Sequence, residues 1–88
     1  MATYFATCHT PDNFDADRRI QGLGGPVMGR LSIDVIITMI DQGHQFYTQP
    51  AYGTGQRIVT AIRNGRRYIR TEADLWEPNN ILSLPRCP

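Results

Sequence analysis

Four side chains in this sequence carry the chemistry to hold a metal ion or attack a substrate: Cys8, His9, His44 and Cys87. A tetrahedral zinc site draws thiolates and imidazoles to within about 2.0–2.3 Å of one ion. The spacing argues against such a site. Cys8 and His9 are neighbours on an extended stretch, which sends their side chains to opposite faces. There is no C-x-x-C or H-x-x-x-H pair. A cysteine nucleophile needs a base and an oxyanion pocket beside its thiolate, and no such grouping stands near Cys8 or Cys87. Cys8 is therefore expected as a small buried hydrophobe, and His9 as an exposed strand residue. His44 is expected to sit favourably just past a helix C-terminus.

The segment Gly22-Leu23-Gly24-Gly25 lies between a strand and a helix, as a dinucleotide loop would. It lacks the third glycine at the required spacing, and no phosphate-loop lysine follows. It is read as a plain turn. The expectation is a protein without catalytic residues, metal or cofactor.

One surface merits a binding hypothesis. Arg63, Arg66, Tyr68 and Arg70 fall on one face of a hairpin, with Arg67 at its edge. Guanidiniums beside an aromatic ring can hold a single-stranded nucleic acid by charge and stacking. The competing account is a solvated sheet face whose arginines pair with Glu72, Asp74 and Glu77, and this is the favoured one.

The elements that position these residues follow from pattern. Residues 3–10, rich in aromatic and β-branched types, read as a first strand, broken at Pro11. Residues 18–23 read as a second, and 24–29, with three glycines and a proline, as a loop. Ile33, Ile36, Ile37 and Ile40 recur at helical spacing, with Val35 and Met39 beside them and Asp34, Thr38 and Asp41 opposite. Ser32 suits the N-cap, and Gly43 suits the left-handed residue after the last turn. The spacing predicts a helix near 33–42 that forms the centre of the core.

Residues 45–48 read as a short strand, and 52–55 as a turn. Residues 56–63 and 66–71 make two strands joined by Asn64-Gly65, a strong hairpin signal. A two-residue loop fixes the register. Arg63 faces Arg66, Ala61 faces Tyr68, and Val59 faces Arg70. On the other side Ile62 faces Arg67, Thr60 faces Ile69, and Ile58 faces Thr71. The isoleucine face should pack on the helix and the arginine–tyrosine face should meet solvent. Leu82, Leu84 and Trp76 are expected to fold back over the core edge.

Composition narrows the function classes. The 88 residues form one domain, residues 1–88 with flexible ends, and 41% of them are hydrophobic. The net charge of +1 is far from the basic excess of a dedicated nucleic-acid module. All nine basic residues are arginine, a choice read as codon bias. No apolar run approaches the roughly 20 residues of a membrane helix, and no signal segment is visible. The default compartment is the cytoplasm, where both cysteines would be reduced thiols, with a disulfide as the alternative should the chain ends meet.

The stretch Tyr68-Ile69-Arg70-Thr71 with Asp74, followed by Asn79-Asn80-Ile81-Leu82-Ser83-Leu84-Pro85-Arg86-Cys87, resembles the bacterial Domain of Unknown Function 3892 family. The strand ending in Cys8, the Ile20 strand running into Gly24-Gly25, and Ile36, Ile40 and Gly43 before Phe46-Tyr47 extend the resemblance. The segment Pro26-Val27-Met28-Gly29 departs from it. The resemblance implies a small α+β domain and carries no activity with it. The combined expectation is a mainly antiparallel sheet of four or five strands with one helix on one face. Its function is that of a non-enzymatic accessory or binding domain for an unidentified protein or ligand. The alternative is a weak single-stranded nucleic-acid binder using Arg63, Arg66, Tyr68 and Arg70.

Overall fold

The computed structural model describes every residue except 16, 17, 52 and 75–77, together with the side chain of Asn79 excepted. It is an α+β domain. Its strands are β1 (Thr3–Ala6), β2 (Cys8–Pro11), β3 (Ile20–Gly25), β4 (Gly29–Ser32), β5 (Gln45–Thr48), β6 (Arg57–Arg63) and β7 (Arg66–Thr71). Its helices are α1 (Ile33–Asp41) and the single turn α2 (Asn79–Leu82). One sheet has the order β1-β5-β6-β7, with β1 parallel to β5 and the other pairs antiparallel. A second, antiparallel sheet has the order β2-β3-β4.

The helix stands where its pattern puts it. The Ser32 hydroxyl accepts from the Val35 amide at 3.3 Å, and Asp34 sits in the first turn. Gly43, at φ +101°, takes the left-handed turn after the C-cap Gln42. Ile33, Ile36 and Ile37 are buried, while Asp34, Thr38 and Asp41 are exposed. Val35, expected in the core, is 44% exposed at the margin of the apolar stripe.

The β6–β7 hairpin has all six cross-strand pairs that its two-residue turn dictates. Asn64 and Gly65 both adopt positive φ, +52° and +76°, as that turn type requires. Ile58, Ile69 and Thr71 are buried on the face that meets α1, and Phe46 of β5 continues that face, but Ile62, expected to pack there too, is 70% exposed next to the turn end of the hairpin.

Two strand assignments differ from the sequence reading. Residues 3–10 are two strands, because the chain changes sheets at Thr7, whose amide donates to the Gly24 carbonyl at 2.8 Å. Gly24, Gly25 and Gly29, read as loop, lie in β3 and β4, leaving only residues 26–28 for the turn. The physical reason is close approach. A Cβ on Gly24 would fall 2.6 Å from Cys8 Sγ and 2.9 Å from Cys87 Sγ. One on Gly25 would fall 2.2 Å from the Phe5 carbonyl oxygen. These glycines are strand residues that let other chain segments pass against the sheet.

The chain ends are joined, not loose. Cys8 and Cys87 form a disulfide across a sequence separation of 79 residues. This corrects the reading of both as free thiols. Around it His9 N–H donates to the Pro85 carbonyl and Cys87 N–H to the His9 carbonyl, each at 2.9 Å. His9, expected exposed, is 5% exposed beneath this segment. Ile81 and Leu84 are buried, as the expected fold-back of the C-terminal segment requires for Leu84; Leu82 is partly buried, and Trp76 lies outside the described residues.

In the chain-entropy account a loop of this length is worth about 4–5 kcal/mol, and native bonds deliver about 2–4. Cys87→Ser should lower the unfolding free energy by about 2–4 kcal/mol in urea without reductant. A dithiol should bring the parent down to the variant and leave the variant unmoved. Equal parent and variant midpoints would show that the ends are held without the bond.

Candidate functional site

The hairpin arginines are tied down by the rest of the fold. Arg67 makes a two-pronged contact with Asp41 at the end of α1, at 2.6 and 2.8 Å. That bond holds the Asp41 carboxyl below its ordinary range and raises the Arg67 guanidinium above its own. Arg66 pairs with Asp15 at 2.6 Å. Arg18 donates from Nε to the Arg67 carbonyl at 2.8 Å and from Nη2 to Asp34 at 2.7 Å. Asp15 and Arg18 are thereby fastened along the outer edge of β7. Arg18, Asp34, Ile37, Thr38, Arg66 and Arg67 line an open cleft of about 410 Å³ whose charged groups already pair with one another or with neighbouring carboxylates.

Arg70 turns toward backbone. One of its nitrogens donates to the carbonyls of Thr71 and Asp74, both at 2.9 Å. Next to it lies the most specific stretch of the resemblance. The Asp74 carboxylate accepts from the Thr71 hydroxyl at 2.9 Å, from the Asn80 amide N–H at 3.3 Å and from Asn80 Nδ2 at 3.2 Å. Asn80 Nδ2 also donates to the Thr71 hydroxyl at 2.9 Å. These bonds lock α2 onto β7. The motif that identifies the chain is a structural fastening.

Of the four residues expected to form a binding face, Tyr68 is misplaced by the sequence reading. It is 1% exposed and belongs to the hydrophobic cluster. Its neighbour Ile69 is fully buried on the opposite side, so β7 is covered on both faces. Period-two alternation assigns a residue to a face, but it does not say whether that face is open at that strand. Arg63 and Arg70 are half-buried and Arg66 is exposed. The four do not form an open platform around a ring.

The solvent-reaching aromatics of this same sheet face lie on β5 and β1, two and three strands away from β7. Phe5 of β1 pairs in register with Tyr47 of β5, and Tyr47 pairs with Arg57 of β6. Phe5 is 48% exposed and Tyr47 half-buried, with ring centroids 5.9 Å apart and planes inclined by 29°. Arg57 reaches Glu72 at 3.8 Å, a long contact between two half-exposed groups. The opposite partners in these strands, Tyr4 and Phe46, stack at 5.1 Å on the inner side. The signal was present in the sequence. Tyr4-Phe5 and Phe46-Tyr47 are consecutive aromatics, and a strand must send one of each pair outward.

The candidate metal ligands are otherwise occupied. Both sulfurs are in the disulfide, and His44 Nδ1 accepts from the Ala2 amide at 3.1 Å. Among the described residues no three or more His, Cys, Asp and Glu side chains stand together as a metal site. His9 keeps a buried Nδ1 without a hydrogen-bond partner. Burial, and secondarily the nearby Arg86 charge, push its imidazole below the usual histidine range, against the carbonyls of Leu84 and Pro85. Among the described residues no helix is long and apolar enough to cross a membrane.

The fold and the outer row of side chains define a small two-sheet α+β domain with an open sheet face. The chain belongs to the family described as protein of unknown function (DUF3892), whose model matches residues 13–85. Strands β1 and β2 and the residues Arg86 and Cys87, which carried part of the resemblance, lie outside that match. No curated protein and no solved structure matches the chain.

Two measurements check this account. Asp74→Ala leaves the Thr71 and Asn80 donors without their carboxylate and should cost about 2–3 kcal/mol in urea unfolding. A cost under about 0.5 kcal/mol would mean that α2 docks without the network. The second concerns pH. His9 binds its proton less readily folded than unfolded, so stability should fall as pH drops from about 6.5 toward the lowered folded pKa. The parent-minus-His9→Gln difference in unfolding free energy should shrink across that window. A difference independent of pH would place the protonation elsewhere.

Proposed function

We propose that this protein is a non-enzymatic binding domain and that its binding surface is the outer face of the larger sheet across β1, β5 and β6. The observation that carries this reading is the row Phe5–Tyr47–Arg57, three side chains in register across three strands, with Phe5 and Arg57 exposed and Tyr47 half-buried between them. Aromatic and arginine side chains dominate the energetics of recognition surfaces because they cover large areas and keep a polar handle. Phe5 is a large ring left half outside a domain that buries thirteen hydrophobic residues among those described. The titratable groups a reaction would need serve other ends. Asp15, Asp34 and Asp41 are in ion pairs, Asp74 is in the α2 fastening, and the cysteines are joined.

The reading is tested by photo-crosslinking in the cells that express the protein. Benzoylphenylalanine replaces Phe5, Tyr47 or, as a control, Ile62, which is 70% exposed on the opposite face of the same sheet. Discrete light-dependent adducts are expected at positions 5 and 47 and none at 62. Adducts at 62 with none at 5 or 47 would move the binding surface to the other side.

A further inference from the structure

We propose that the occupant of this face is a single-stranded nucleic acid, its bases stacked on Phe5 and Tyr47 and its phosphates held by Arg57 and Arg70; the inference rests on the binding-surface reading above.

The argument begins with charge. Alternation along β6 and β7 puts Arg57, Arg63, Arg66 and Arg70 on the outer side, with the register pairs Arg63–Arg66 and Val59–Arg70. Four of nine basic residues thus occupy one sheet face of a chain whose net charge is only +1. Arg66 is paired with Asp15. Among the described residues Arg57 meets a carboxylate at Glu72, across a long 3.8 Å contact in which both partners are about half exposed. Such a pair is weak in water and exchangeable for a phosphate. Arg70 is fixed by two carbonyl oxygens, neutral acceptors that orient the guanidinium and bring no charge of their own.

Stacking supplies the second half. Phe5 is on an edge strand, so one side of its ring has no further strand beside it in the sheet. Adjacent strands are about 4.8 Å apart, which puts Arg57 about 10 Å from Phe5 across the sheet. A base laid on a ring therefore leaves its phosphate within reach of a long arginine side chain. Every base has a π-face, so such a platform accepts single strands with little sequence preference. A duplex offers no bases to these rings. An acidic protein segment would satisfy the arginines, but a single strand supplies an anion and a flat π-face in every nucleotide.

The test is fluorescence anisotropy with a labelled polypyrimidine single strand of about 12 nucleotides, a length typical of one such site. At low salt the full chain should bind it saturably and bind a duplex of equal length much more weakly. The logarithm of the binding constant should fall against log salt with a slope of roughly −1.4, about −0.7 for each of two phosphates. Phe5→Ala and Tyr47→Ala should each weaken binding about 5- to 150-fold. Arg57→Gln should reduce the slope by about 0.7, and Ile62→Ala should change nothing. Thermal unfolding of Phe5→Ala verifies that the variant is folded; its ring lies outside the core. Absence of saturable binding, equal binding of duplex, or unchanged affinity in both aromatic variants would overturn the proposal. The crosslinks separate the two levels. A protein adduct at position 5 with no oligonucleotide binding keeps the surface and rejects this occupant, whereas no adduct at 5 or 47 and no binding reject both.

Discussion

The fold depends on bringing its two ends together. Residues 8 and 9 of β2 lie against residues 85–87 through the Cys8–Cys87 disulfide and the two backbone bonds of His9. That contact presses Leu84 into the core and closes the second sheet against the segment that carries α2. A domain of this size buries too little apolar surface to be generous with loose ends. A covalent closure of nearly the whole chain limits the unfolded ensemble more than any local contact can. The buried, partly unsatisfied His9 is tolerated because the closure holds it there.

A second device joins the elements at the opposite edge. Arg18 reaches Asp34 and Arg67 reaches Asp41, both on α1, and Arg66 reaches Asp15, so Asp15 and Arg18 ahead of β3, helix α1 and the hairpin are laced together. Arg67 grips both oxygens of Asp41, and Arg18 divides its donors between a carbonyl and Asp34. These are uses of a flat, multi-donor guanidinium that an ammonium does not reproduce. Arginine without lysine is thus more than codon usage at Arg18 and Arg67. The same lacing explains why the Arg66–Arg67 end of the hairpin is a poor place for a ligand. Arg66 and Arg67 are committed to carboxylates, and Tyr68 is buried. The aromatic row across β1, β5 and β6 is the part of that sheet face left open.

Much of the fold was legible in the sequence because it is set by local rules. The period of the isoleucines, Ser32 and Gly43 fixed α1, and a two-residue Asn-Gly turn allowed only one register for β6 and β7. The α+β class and the burial of Leu84 followed from hydrophobic pattern. The site was less legible. Alternation correctly placed Arg63, Arg66, Tyr68 and Arg70 on one face and says nothing of what covers that face.

What the sequence alone determined, then, are the features whose cause lies within a few residues: helix, caps, turn, register and family motif. What only the tertiary structure decided are the features whose cause lies far along the chain. The glycines of β3 are strand residues because sulfurs from residues 8 and 87 and a carbonyl from residue 5 lie against them. The cysteines are bonded because two strands and a C-terminal turn bring them to a Cα separation of 4.9 Å. Tyr68 is inside and Phe5 outside because burial depends on which elements pack over each end of a sheet. That is a long-range property that no period of two or of 3.6 contains.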